Sequence, residues 1–198
     1  MARELHPTEN RGYRELYAYS RQLVRHWSSL AARLEGFDAA ESLEKGVDAV
    51  RSLIDELGPV TARYGLHGYP AAQGVGTQLA WARGGVRDRA LERNQALRLA
   101  VQDMQALTTL LAYLAQVADG RGDTELVEFC GRWERKLRRI EGAARKAAVE
   151  LGSDPAAAIE PVDPSAIGRV AHGAAYAIGT AGEWFDRRTA AKRGSPGE

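Results

Sequence analysis

The residues able to do chemistry fall into two groups, and neither has the spacing of a catalytic device. The first is a run of bases, Arg132, Arg135, Lys136, Arg139 and Lys146, which return to nearly one side of a helix at spacings of three and four. Such a stripe can bind phosphate groups or an acidic partner through charge. The same stretch also reads as an ordinary solvated helix. Glu128 and Arg132, Glu134 and Arg138, and Glu141 and Arg145 stand four residues apart, and basic residues suit a helix's C-terminal half. That plainer reading is the one expected.

The second group is aromatic and histidine-bearing: Tyr64, His67, Tyr69 and Trp81 in one stretch, with His172, Tyr176, Glu183 and Trp184 in another. These types build pockets with apolar walls and a few polar groups. Gly68 and Gly173, each after a histidine, would allow close backbone approach. The plainer expectation is that the aromatics cover a helical core and the histidines are hydrogen-bonded or exposed.

Other chemical signals are weaker. His26 stands beside Trp27 without a neighbouring ligand and reads as a boundary histidine, and Cys130, the single cysteine, reads as a small core residue. Gly74-Val75-Gly76 lacks the third glycine of a dinucleotide loop, and no P-loop, serine elbow or zinc-binding helix is present. No catalytic residue, metal ligand or cofactor is therefore assigned, and the chain reads as a non-enzyme.

The elements that must position these groups are helices. Four segments repeat apolar residues at spacings of three and four, which puts a seam along one face. The first is Tyr13, Leu16, Ser20, Leu23, Trp27, Leu30 and Leu34, ending near Gly36. Asp38, three before Glu41, reads as the N-cap of the second, whose seam is Leu43, Val47, Val50, Ile54 and Leu57. Gly58-Pro59 should stop or kink it. Leu97, Ala100, Met104, Leu107, Leu111, Leu114 and Ala118 make the third seam, closed by the turn Asp119–Asp123. Leu126, Cys130, Trp133, Leu137, Ile140, Ala144, Ala147 and Leu151 make the fourth, with Asp123 or Thr124 as N-cap and Gly152 as stop. No run of alternating β-branched residues competes, so no sheet is expected.

Short turns join the first pair and the second pair, which predicts two antiparallel hairpins. Between them lies a Gly-rich stretch, about 58–89. A helix of about 25 residues spans roughly 37 Å, so returning along it takes at least about 11 extended residues, and this stretch is ample. A fifth, C-terminal helix is expected over about 164–179, its face of Ile167, Val170, Ala171, Ala174 and Ile178 packed on the bundle. Residues 1–186 read as one all-α domain and 187–198 as a disordered tail.

Composition narrows the class. With 27 basic and 26 acidic residues among 198, the net charge is +1, so no overall field draws the chain to nucleic acid or an anionic membrane. One cysteine excludes an internal disulfide framework, and neither a signal peptide nor a membrane span is found, so a cytoplasmic protein is expected.

Two antiparallel helix pairs joined by a long crossover, then a short C-terminal helix, resemble the ferritin-like bundle over roughly residues 12–179. The likeness is architectural. It implies two metals held by inward Glu residues and Glu-x-x-His pairs. The residues three before His6, His26, His67 and His172 are Arg3, Leu23, Tyr64 and Arg169, so no such pair exists, and the seams carry core residues where carboxylates would stand. The expectation is thus a non-catalytic helical interaction or scaffold protein with a protein partner or self-association. The alternatives are a divergent ferritin-like metal-binding protein or oxidoreductase with unrecognised ligands and, third, an anion or nucleic-acid binder through the basic face.

Overall fold

A computed structural model describes residues 4–67, 91–170 and 172–173. Four long helices carry the fold: α1 (Pro7–Arg33), α2 (Asp38–Ala62), α3 (Arg93–Gly120) and α4 (Thr124–Glu150). A 3-10 turn (Leu151–Ser153) and a four-residue helix, α5 (Pro155–Ala158), follow. No strand occurs among the described residues; an isolated bridge joins Glu92 to Pro161.

The seams are the core. Every first-seam residue from Tyr13 to Leu34 and every third-seam residue from Leu97 to Ala118 is buried, as are Leu43, Val47, Val50 and Leu57. On α4, Leu126, Cys130, Trp133, Leu137 and Ala144 are buried, while Ile140, Ala147 and Leu151 pack partly covered at the margin.

Helix packing defines the topology. α1 lies against α2 and α3, and α4 lies against α3 and α2. Glu9 meets Arg121 and His26 meets Asp103, so α1 and α3 are antiparallel. Glu56 meets Arg132 and Arg63 meets Glu125, so α2 and α4 are antiparallel too. It follows that α2 and α3, on the diagonal, run the same way. α2 therefore ends at the opposite end of the bundle from the start of α3, and a crossover must join the two hairpins. Residues 68–90 of that connection lie outside the described residues.

Local details depart from expectation at several ends. α1 starts well before Tyr13: Pro7 takes the first turn, where its missing N–H costs nothing, His6 Nδ1 accepts from Thr8 N, and Glu9 accepts from His6 N at 2.8 Å. Asp38 is not the cap of α2. Phe37 holds that position with extended backbone and no side-chain bond, and Asp38 is the first helical residue, where its charge still suits the helix dipole.

Gly58-Pro59 does not stop α2, which runs on to Ala62. Pro59 lies in the last turn, so it removes one bond, and Thr61 Oγ1 donates to the Leu57 and Gly58 carbonyls at 3.0 and 3.3 Å. α3 ends as expected at Gly120, with Gly122 at φ +71 making the turn, and Asp123 caps α4 by accepting from Leu126 N. α4 ends at Glu150, just before the expected stop. Beyond α5, helix resumes at 166–170 and 172–173. Of its expected apolar face, Ile167 and Val170 do not pack on the bundle, being 67% and 73% exposed, and Ala171, Ala174 and Ile178 lie outside the described residues. The chain is anchored just upstream instead, where Val162 N donates to Leu91 O and Arg93 N to Glu160 O.

Candidate functional site

The basic stripe of α4 is an exposed surface built on one buried indole. Trp133 is 1% exposed and fixes the rotation of the helix, which leaves Arg132, Arg135, Lys136, Arg139 and Lys146 all facing solvent. Lys136 Nζ lies 4.5 Å from the Trp133 ring centre and the Arg132 guanidinium 5.3 Å from it, a cation–π arrangement that pins both side chains over the α2–α4 seam.

Two of the three expected pairs form, Glu134 with Arg138 and Glu141 with Arg145. The third does not. Arg132 reaches across to Glu56 of α2 at 2.6 Å, and Trp133 Nε1 donates to the same carboxylate oxygen at 3.2 Å. The arrangement is geometric: Glu56 faces the α2–α4 groove, where one carboxylate can accept from both residues. The Arg132 hydrogen bond holds the Glu56 carboxyl below its ordinary value, against a smaller opposing effect of burial. Lys146 pairs with Glu150 at 3.5 Å. Arg135 and Arg139 have no ion-pair partner among the described residues.

Of the aromatic and histidine group, three members can be placed. Tyr64 is 4% exposed and its hydroxyl donates to Asp123 Oδ1 at 2.9 Å, so it closes one end of the bundle. His67 is exposed. His172 is part-exposed, with a covered Nδ1 that has no hydrogen-bond partner among the described residues. Tyr69, Trp81, Tyr176, Glu183 and Trp184 lie outside the described residues.

Further polar groups are buried inside the bundle. Glu9 is fully buried; one carboxylate oxygen accepts from His6 N and the Arg121 guanidinium, and the other, Oε1, has no partner among the described residues. Glu9 stands four residues before Tyr13, continuing the first seam by one turn, which is the signal that could have found it. Tyr13 and Cys130 share a buried contact at 3.4 Å. Burial pushes the thiol up to about 11, with the hydrogen bond from Tyr13 partly opposing, and burial also raises the Tyr13 hydroxyl. A thiol so placed is not a nucleophile at neutral pH. His26 Nδ1 meets Asp103 Oδ2 at 2.8 Å across α1 and α3, supplying the neighbour that local sequence did not show.

At the other end of the bundle a cleft of about 500 Å³ opens between Leu34, Phe37, Leu97, Ala147 and Leu151. Arg93 stacks on Phe37 at 4.6 Å and pairs with Glu160 at 2.6 Å, while Asp38, Glu150 and Asp154 stand on the rim. Among the described residues, no three His, Cys, Asp or Glu side chains converge as a metal set, and no helix is long and apolar enough to cross a membrane. Comparison with family models, curated proteins and solved structures gives no match.

Proposed function

We propose that the chain is a non-catalytic helical interaction protein that binds another macromolecule, a protein partner or a second copy, through the outer faces of its long helices. One observation carries this reading. The inward seams are occupied by close-packed Leu, Met, Trp and Ala side chains, and the charges lie on the outer faces, with an excess of bases on α4 and of acids on α2. Unlike-charged faces held on a rigid core steer and orient partners. Size-exclusion chromatography with light scattering, together with capture from the source organism's lysate, tests the reading. A monomer that retains no partner would sink it.

A second reading is favoured by the topology. Parallel diagonal helices and a crossover between two hairpins are shared with ferritin-like bundles, so a divergent metal-binding protein or oxidoreductase is the alternative. Elemental analysis after chelator washing decides it: stoichiometric iron or manganese would put this reading first. The third, anion or nucleic-acid binding through α4, draws on the exposure of Arg135 and Arg139. Such binding requires an affinity that falls steeply with salt, and a flat salt titration would retire it.

A further inference from the structure

We infer that the partner is a second copy of this chain, docked so that the acidic outer face of α2 in each copy meets the basic outer face of α4 in the other. The inference rests on the interaction-protein reading and makes it specific.

Three features agree. The first is sign and period. Glu41, Asp48 and Asp55 are exposed on α2 at intervals of seven residues, and Arg132, Arg139 and Lys146 are exposed on α4 at the same intervals. Seven residues are two helical turns, so each set forms one stripe and the two stripes have equal rise.

The second is height. Glu56 lies level with Arg132, Arg63 with Glu125, and a Cβ on Gly46 would sit 3.4 Å from Ile140. On that antiparallel register Asp55 falls within a residue of the height of Arg132, Asp48 is level with Arg139, and Glu41 with Lys146. A two-fold axis parallel to the helices leaves every height unchanged. It therefore brings Asp48 of one copy level with Arg139 of the other without any slip, and does the same for the flanking pairs. Such an axis makes a closed, isologous dimer in which the α2-to-α4 contact occurs twice.

The third is supply. Asp55 on α2 and Arg139 on α4 have no ion-pair partner among the described residues, while Arg132 and Lys146 pair within their own copy with Glu56 and Glu150 in exposed contacts. Among the described residues Glu41 and Asp48 are held by Lys45 and Arg51 on their own helix, with side chains 65% and 57% exposed, and exposed pairs of this kind yield readily. A partner of one sign would answer only one stripe; a second copy answers both.

Sedimentation equilibrium of the full chain across a salt series tests this. A dimer is expected at 50 mM salt, with its dissociation constant raised by about tenfold or more at 500 mM as screening shortens the reach of the charges. The double variant Arg139→Glu with Lys146→Glu should be monomeric, as should Glu41→Lys with Asp48→Lys, each keeping its helical circular dichroism. Mixing the two variants should restore a dimer, because each reversed stripe then meets its opposite. A chain monomeric at 50 mM salt, a dimer indifferent to salt and to both reversals, or reversed variants that fail to re-pair would each overturn the proposal. A monomer that still co-purifies with a different protein overturns the dimer alone, whereas a monomer without any partner overturns the interaction reading as well.

Discussion

The two ends of the bundle are closed by different chemistry. Where α1 and α4 begin, buried polar side chains tie the elements together: Glu9 to Arg121, Tyr13 to Cys130, and Tyr64 to the Asp123 that caps α4. At the opposite end the walls are mostly apolar, and a cleft remains between the α1–α2 turn, the start of α3 and the end of α4. A bundle with uniform seams thereby acquires polarity. Bonds between buried side chains hold one end in a single arrangement, whereas at the other the polar contacts, such as Arg93 with Glu160, stand beside an apolar-walled cleft that stays open.

That contrast can be broken most forcefully by cutting into each end. Leu126→Ala, at the tied end, should cost toward the upper part of about 2–5 kcal/mol, since its fully buried site would leave a sealed void. Leu34→Ala lines the cleft and should cost toward the lower part, because the space it vacates joins a solvent-filled opening. Urea unfolding of both variants checks the order; equal losses would erase the distinction between the ends.

Alkaline pH probes the tied end alone. The Cys130 thiol rises in the folded chain from its ordinary 9.0 to about 11, so the unfolded chain loses its proton first. Stability is fully present below about pH 9 and falls as pH rises through 11, by up to about 2–3 kcal/mol for this group, with the raised Tyr13 hydroxyl adding in the same direction. Urea midpoints measured from pH 8 to 11 should therefore drop, and Cys130→Ala should flatten the slope. An unchanged slope in the variant would show that the thiol takes no part.

Glu9→Ala should cost about 1–3 kcal/mol by leaving Arg121 without its carboxylate and the His6 amide unpaired. Arg121 is 31% exposed and can turn to water, which keeps the loss from being larger. A thermal melt indistinguishable from the parent would mean that this end is held by packing instead.

Two glycines differ in what an added Cβ would meet. A Cβ on Gly46 would run into the rigid Trp27 ring, so Gly46→Ala should destabilise by about 1–3 kcal/mol. On Gly12 it would meet a terminal methyl of Leu114, which can swing away, and the gain in helix propensity of about 1 kcal/mol offsets the remainder. Guanidinium titrations should place Gly12→Ala near the parent and Gly46→Ala well below it.

Much of the fold was legible in the chain because helical burial repeats locally: the seams from Tyr13 to Leu34 and from Leu97 to Ala118 are all core. Boundaries were less so. Pro59 stays inside α2 because it falls in the last turn, where its missing N–H orphans one carbonyl, and Thr61 donates to the Leu57 and Gly58 carbonyls at the helix end, a circumstance that depends on where the helix stops. The basic stripe was legible as a stripe, but not the departure of Arg132 toward Glu56, since helix neighbours compete with groups far away in sequence. Glu9, His26 and Cys130 were ordinary residues until their partners arrived from 77 or more positions away.

Four amphipathic helices, the faces they bury and the crossover between two hairpins follow from local sequence, because periodicity and turn chemistry act over a few residues. Tertiary structure alone decided the register of α2 on α4 and thus the level of their unlike charges. It also decided the burial of Glu9 beneath Arg121 and which end of the bundle stays open, because these depend on side chains that meet only when separate helices pack.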